Sequence, residues 1–308
     1  MSDITVIIPF FNEEETLRQT MEMLIKQTLK PKRIIMIDSG STDKSASIIN
    51  EYMEKRDNSI ELVQPMLRSP SSSINYGIRN TITRYVAYID CGLLIPINWL
   101  ESQYKKIKKN NYMIVSAQIY TKGTNALDKS LVAQTYGYKN ITTCLPGSLI
   151  DMNIFKIIGM LKENMRAGYD IDFINRINKK GINRIINRDI CLKYLGINYA
   201  NNYVMASKKI FNYSLTGWET IGDCKPYIYI ILMFIIFLSI AMNIFLELAI
   251  TYIIIRGYLI PITKSKKLLQ EKNIYFYLML PISAIIFDIS RLCGYLFAIK
   301  KYFVTENK

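Results

Sequence analysis

Three short apolar runs constrain this chain most. Ile4-Thr5-Val6-Ile7-Ile8 ends at Pro9, Arg33-Ile34-Ile35-Met36-Ile37 ends at Asp38, and Tyr85-Val86-Ala87-Tyr88-Ile89 ends at Asp90. Continuous apolar runs of this length suit strands buried on both faces, as in a parallel sheet. Between them the periodicity changes to that of helices. Asn12 is placed to cap a helix whose Leu17, Met21, Leu24 and Ile25 share one face, and Pro31 stops it. Ser39 to Asp43 forms a turn and caps a second helix through Ile49 and Met53. Glu61-Leu62-Val63 is a third short strand, and the polar Ser69–Ser73 leads into a helix ending near Arg79. This β-α-β-α-β-α-β order predicts an α/β fold with a mainly parallel sheet and helices on both faces. The loops Pro9–Glu15, Asp38–Asp43 and Asp90–Gly92 then gather at the strand C-termini, the edge at which open α/β sheets bind ligands.

Several chemistries are excluded at once. The chain of 308 residues has no histidine, so histidine bases, Ser-His-Asp triads and histidine metal sites are ruled out. No GxGxxG follows the first strand and no GxxxxGK[ST] occurs, which removes the dinucleotide and P-loop readings. The five cysteines are widely spaced without a CxxC pair, which fits reduced thiols better than zinc or redox motifs. The N-terminus enters a strand pattern by Ile4 without a basic or apolar leader, so the first domain is expected to stay unexported. A net charge of +14 suits anionic lipid or phosphorylated substrates. Nucleic-acid binding has no support beyond that charge, and no nucleic-acid partner is expected.

Val6-Ile7-Ile8-Pro9-Phe10-Phe11-Asn12-Glu13-Glu14, followed by Ile37-Asp38-Ser39-Gly40-Ser41-Thr42-Asp43, resembles the opening of family 2 glycosyltransferases. The likeness continues through Ser73-Ile74-Asn75-Tyr76-Gly77 and through Tyr88-Ile89-Asp90-Cys91-Gly92, at the place of the DxD motif. It extends to Gly168-Tyr169-Asp170-Ile171-Asp172-Phe173, which is similar to the acidic "E-D" segment. It covers roughly residues 4–220. The resemblance implies the GT-A fold and inverting transfer from a nucleotide sugar. It divides the chain into a nucleotide-sugar-binding half at 1–120, an acceptor-binding half at 121–222, and a membrane-associated helical region at 223–308.

With no histidine, the base that deprotonates an acceptor hydroxyl is expected to be a carboxylate. The resemblance points to Asp170, at the start of a helix, with Tyr169 standing where the family has Glu. Capping of that helix is the competing role for Asp170 and Asp172. For the nucleotide sugar, the resemblance implies Pro9, Phe11, Glu13, Asp38, Ser39, Asn75 and Asp90, with Lys208 and Lys209 near the diphosphate. Ser39 stands where a second acid commonly reads the base. Gly147 and Ser148, in a loop over Leu145–Ser148, are expected on the acceptor side with Asp172. The family usually holds Mg²⁺ or Mn²⁺, and Asp90 is the retained ligand. Its usual second acid is replaced by Gly92, which leaves that metal site short of oxygen ligands.

Residues Tyr227–Ile255 carry one charge, Glu247, over 29 residues. One helix of that length spans about 44 Å, more than the ~30 Å hydrocarbon core. Basic flanks at Arg256, Lys264, Lys266, Lys267 and Lys272 favour a hairpin through Tyr227–Ile262 over a single crossing. The second apolar segment, Ile274–Ile299, carries Asp288 and Arg291, spaced to pair on one helix face. Trp218 is expected at the membrane interface. The full expectation is a glycosyltransferase at the inner membrane, its catalytic domain cytoplasmic, with membrane lipid as partner and a glycan or lipid-linked acceptor. A diverged, non-catalytic relative acting as a membrane partner is the alternative.

Overall fold

The computed structural model describes residues 2–55, 59–67, 69–109, 111–195, 202–219 and 224–305. It divides into two compact units, Met1–Ile119 with Thr142–Tyr194, and Tyr120–Ile141 with Leu195–Lys308. These units do not coincide with the expected blocks 1–120, 121–222 and 223–308. The middle block is shared between both units, because residues 142–194 pack within the sheet unit, whereas residues 120–141 and 195–222 group with the C-terminal helices.

In chain order the elements of the first part are β1 Ile4–Phe10, α1 Glu14–Ile25, β2 Arg33–Asp38, α2 Ser45–Lys55, β3 Ile60–Val63, α3 Pro70–Arg79 and β4 Tyr85–Tyr88. They continue as α4 Trp99–Lys109, β5 Ile114–Lys122, α5 Ala126–Thr135, β6 Ile141–Asp151, α6 Asn153–Ile158, α7 Tyr169–Lys179 and β7 Arg184–Leu195. Among the described residues seven strands form one sheet in the order β3-β2-β1-β4-β6-β5-β7. β1 runs parallel to β2 and β4, β2 parallel to β3, and β4 antiparallel to β6. The sheet is mixed and mainly parallel around β1, as the apolar runs predict.

Strand alternation builds a core on each face. Ile4, Val6, Ile8, Ile34, Met36, Tyr85 and Ala87 join Leu17, Met21 and Leu24 of α1 and Trp99 and Leu100 of α4. Ile7, Ile35, Ile37, Val86 and Tyr88 join Ile74 and Ile78 of α3 and Phe173 and Ile177 of α7. Helices thus cover both faces.

Two local expectations change. Asn12 does not cap α1. It adopts φ 54°, and its Oδ1 accepts from Thr42 N at 2.8 Å, so the helix begins after Glu13. Leu145–Ser148 is no loop but the interior of β6. Gly147 sits there at φ +85°, where a Cβ would lie 2.5 Å from Leu192 Cδ2. Its carbonyl accepts from Trp99 Nε1 at 2.9 Å and Gln103 Nε2 at 2.5 Å. Only a residue without a side chain fits so close to Leu192 and to Ala117 of the neighbouring β5, whose Cβ would lie 2.9 Å from the added one.

The second unit is helical: α8 Tyr203–Ser214, α9 Lys225–Ala241, α10 Phe245–Tyr252, a π-helical stretch Ile253–Leu259, α11 Ile260–Lys264 and α12 Ile274–Thr305. α8 and α5 both pack on α12, with Leu131, Ala206, Ile210 and Phe287 in one small core. α9 turns through Asn243, at φ 59°, into the continuous rod Phe245–Lys264, which is the expected hairpin. Two helices, Phe245–Lys264 and Ile274–Ile299, are long and apolar enough to cross a membrane. The shorter α9 leaves Phe234 and Phe237 largely exposed.

Asp288 and Arg291 pair at 2.8 Å, as their spacing predicts. Arg256 was expected as a basic flank. It is instead inside the rod, in a two-pronged contact with Asp288 at 2.7 and 2.9 Å. Tyr229 of α9 and Tyr252 of α10 donate to the same carboxylate at 2.6 and 2.9 Å. A second polar repair lies at Pro281 inside α12. A proline has no N–H for the carbonyl four residues earlier, that of Tyr277. The Tyr258 hydroxyl donates to it at 3.3 Å.

Candidate active site

The first two strand-end loops interlock. Asn12 N donates to Ser41 Oγ at 3.0 Å, Glu13 N to Ser45 Oγ at 2.9 Å, and Glu14 N to Asp43 Oδ2 at 3.1 Å. Asp43 Oδ1 also accepts from Ser45 N at 2.9 Å, so this acid closes the starts of both α1 and α2. The Glu13 carboxylate accepts from Thr16 Oγ1 at 2.6 Å. Pro9 is half-buried, while Phe11 stands 53% exposed at the mouth of the edge.

Asp38 is fully buried and builds the second turn. Its Oδ1 accepts from Gly40 N at 3.1 Å and Ser41 N at 2.8 Å, and its Oδ2 from Gln64 Nε2 at 2.9 Å. The half-buried Ser39 shares a 2.9 Å hydrogen bond with Ser73 Oγ. The Asp-Ser pair therefore divides its work: the acid shapes the loop and the serine stands at its surface.

Asp90 follows β4 and is half-buried. The Tyr88 hydroxyl donates to its Oδ1, and the Tyr194 hydroxyl donates to its Oδ2 at 2.6 Å. Burial, then the Asp90 charge, pushes the Tyr88 phenol well above its ordinary pKa. It therefore remains a donor. Tyr194 comes from β7, brought alongside by the two-way bridge between Leu94 and Lys193 at 2.9 and 3.0 Å. Behind the turn, Cys91 packs on Thr16 and Thr20, and burial pushes its thiol up to about 11. Gly92 adopts φ +78° and its N–H donates to Thr20 Oγ1 at 3.0 Å.

Asp170 lies in the first turn of α7, after Gly168 at φ 83°. The neighbouring Tyr169 hydroxyl is 3.4 Å from that of Tyr88. The segment leading into α7 is pinned by α3. Asn75, fully buried in α3, holds the backbone of Leu161 at both N (3.1 Å) and O (2.8 Å) and reaches Glu163 at 3.3 Å. Ser71 Oγ donates to Met165 O at 3.0 Å and accepts from Met165 N at 3.1 Å. Arg79 hydrogen-bonds Glu163 and holds its carboxyl below the ordinary range.

The structure brings Asp90 and the start of α7 together through this tyrosine chain, and it assigns other expected residues internal work. Asn75 spends its amide on the 161–163 backbone. Asp172, expected on the acceptor side, is 1% exposed and paired with Arg176 at 2.9 Å. Arg176 in turn holds the carbonyls of Ile158 and Met160 at 2.6 and 2.8 Å. Ser148 is fully buried within the sheet. Lys208 and Lys209 lie on α8 in the second unit. Sequence reasoning missed Tyr88 and Tyr194 as partners of Asp90. Tyr88 was legible, since residues two apart in an extended chain share a face. Tyr194 carried no signal.

The expected metal site offers Asp90 alone, with Gly92 at the place of the second acid. Among the described residues no group of three or more acids or cysteines could hold a metal ion. Gly92 contributes no side-chain oxygen, and each Asp90 oxygen accepts from one tyrosine hydroxyl.

A sheet in the order β3-β2-β1-β4-β6-β5-β7, parallel around β1 and covered by helices on both faces, has the architecture of a GT-A fold. The chain belongs to glycosyl transferase family 2, whose model matches residues 5–190. Over 226 residues it is 30% identical to a cholesterol galactosyltransferase of Borreliella burgdorferi, covering 65% of this chain and 58% of that protein. Over 118 residues it is 33% identical to glycosyltransferase GlyA of Streptococcus pneumoniae, covering 38% of this chain and 17% of that protein. The chain thus spans less than two thirds of the length of these relatives. A mannosyltransferase of Pyrobaculum calidifontis, solved with GDP-Man and Mn²⁺, shares the fold with a TM-score of 0.59 at 14% identity, over 94% of this chain and 87% of that one. GalNAc-T7, solved with UDP, GalNAc and Mn²⁺, gives a TM-score of 0.55 at 16% identity, over 73% and 49%.

Proposed function

We propose that this protein is an inverting glycosyltransferase that moves a sugar from a nucleotide donor to a glycan or lipid-linked acceptor at the cytoplasmic face of the inner membrane. The observation that carries the reading is the Tyr88–Tyr169 contact, which joins the strand end bearing Asp90 to the helix start bearing Asp170. The donor lies along the edge made by Pro9, Phe11, Glu13, Ser39 and Asp90. Asp170 takes the proton from the acceptor hydroxyl as its oxygen attacks the anomeric carbon. The bond from that carbon to the diphosphate breaks on the opposite face, and the nucleoside diphosphate leaves.

The membrane assignment rests on two apolar helices long enough to cross a bilayer and on the exposed apolar surface of α9. A panel of nucleotide sugars, read by thermal shift and by hydrolysis, tests the donor assignment, and the absence of any response refutes it. Carbonate extraction tests the membrane assignment. Release of the full-length chain into the supernatant refutes it.

A further inference from the structure

Over Ile274–Ile299, α12 exposes one face, and that face is apolar along its length. Tyr275, Leu278, Ile282, Ile289, Leu296 and Phe297 are all exposed. Their spacing by three, four and seven puts them on one stripe. The other sides are covered. From α5, Ser130 Oγ meets Ser283 Oγ at 2.7 Å and Gln134 Nε2 donates to Leu280 O at 2.9 Å. Ala206 and Ile210 of α8 pack with Phe287, and the Phe211 ring lies 5.9 Å from that of Phe297. A third side holds the Asp288 carboxylate with Arg256, Tyr229 and Tyr252.

This segment is long and apolar enough to cross a bilayer, but a crossing would carry its neighbours into hydrocarbon. α5 and α8 have 10 and 12 residues, about 15 and 18 Å, well short of the ~30 Å core. Their ends, capped by Asn125 and Asn202, and the exposed Lys208 would then lie among acyl chains. Asp288 and Arg291 stand near the middle of the 26-residue segment. A crossing would therefore put two guanidiniums and one carboxylate, a net positive charge, at the midplane. Exposed basic side chains also flank α12 at more than one level. Lys266, Lys267 and Lys272 precede its start, and Lys208 shares a groove with Ile289 and Cys293 of its second half. Anionic headgroups alongside the whole helix suit that distribution.

We propose that α12 does not cross the membrane but lies in the plane of one leaflet, its apolar stripe turned to the acyl chains and its covered sides to the headgroups. Only the hairpin of α9 and α10 enters deeply. Those helices are exposed on nearly every side: Pro226 and Ser239 are the buried residues of α9, and α10 has none. The partner of the stripe is lipid and not a second copy, because the apolar surface continues onto the hairpin all round, whereas a partner helix covers a stripe alone. This rests on the membrane reading proposed above and adds the orientation.

The test measures tilt. The full chain, its native cysteines replaced and its folding verified by thermal unfolding, carries one spin label at Tyr275→Cys, Ile282→Cys, Ile289→Cys or Leu296→Cys. It is reconstituted in vesicles of phosphatidylcholine and phosphatidylglycerol, and power saturation with oxygen and a nickel chelate reads the depth. All four labels are expected at one shallow depth, about 5–10 Å into the headgroup–acyl boundary. A label at Met242→Cys, in the hairpin turn, is expected deeper. In a crossing helix neighbouring labels differ by about 10 Å along the normal, so the middle pair lies deepest. That gradient overturns the proposal and leaves the membrane reading standing. Labels shielded from oxygen and coupled between chains reveal a second copy on the stripe and overturn it too. Failure of the chain to float with the vesicles overturns both this proposal and the membrane reading. Where the cysteine-free chain does not fold, the wild-type chain decides. Phospholipids with a photoreactive group near the headgroup are expected to label α12 along its length, and labelling confined to its two ends overturns the proposal.

Discussion

Arg256 grips Asp288 with two nitrogens, Nε at 2.7 Å and Nη2 at 2.9 Å, between two helices that carry almost no other charge. Arg291 and two tyrosine hydroxyls complete the shell, so three helices meet on one carboxylate. Removing the acid leaves two guanidiniums facing each other in an apolar setting. Asp288→Ala is expected to destabilise the helical unit by about 3–5 kcal/mol. Arg291→Gln should cost less, because Arg256 keeps its pair. Thermal unfolding in detergent compares them, and equal losses would contradict the hub.

Asp170 tests the base assignment. Replacing it by Asn keeps the size and removes the proton acceptor. Turnover is expected to fall by a factor of about 10²–10⁴. Nucleotide affinity should stay within about twofold, since the base acts on the acceptor. Single-turnover assays with calorimetric titration separate the two. Substantial residual turnover would remove Asp170 from the role.

Asn75 is predicted to matter through the backbone it holds. Asn75→Ala leaves Leu161 N and O unpaired in a buried place, at a cost of about 1–3 kcal/mol. Hydrogen exchange should rise first over residues 161–165, and turnover should fall with it because this stretch leads into α7. Unchanged exchange there would show that the clip is redundant.

Gly147→Ala places a methyl 2.5 Å from Leu192 Cδ2 and 2.9 Å from Ala117 Cβ, at a positive φ. The expected loss is about 1–3 kcal/mol, from crowding, and urea denaturation measures it. A neutral result would mean that the strands part more easily than their packing indicates.

Glu271 supplies a pH-dependent contact. Hydrogen bonds from Lys129 and then Tyr138, at 2.8 and 2.6 Å, hold its carboxyl down at about 2. A depressed carboxylate stabilises the folded state above its unfolded pKa, about 4.3. That contribution is lost as pH falls from there through about 2. Lys129→Met should therefore lose less stability than the wild-type chain between neutral pH and pH near 3, as read by thermal unfolding.

The strands β1, β2 and β4, the helices between them and the hairpin were legible because binary pattern and period are local properties. The ion pair of Asp288 with Arg291 was legible for the same reason. Its stronger partner, Arg256, lies in another helix and looked like a basic flank. Pro146 and Gly147 read as a loop, yet β6 runs through them, since the close approach of Leu192 and Ala117 outweighs their local preference. Asn12 read as a cap, yet Thr42 captures its side chain from the neighbouring loop.

The amino-acid order by itself determined that β1 to β4 and the helices between them form, the family, and the acids carried at the ends of β2 and β4 and the start of α7. Tertiary structure decided what those acids do. A carboxylate's role depends on who donates to it, and those donors come from anywhere in the chain: Tyr194 reaches Asp90 across 104 residues. Asp38 became the builder of a turn, Asp172 the partner of an arginine, and Asp90 an acceptor clamped by two phenols. Hydrogen bonds and ion pairs are satisfied in space, whereas periodicity is written along the chain.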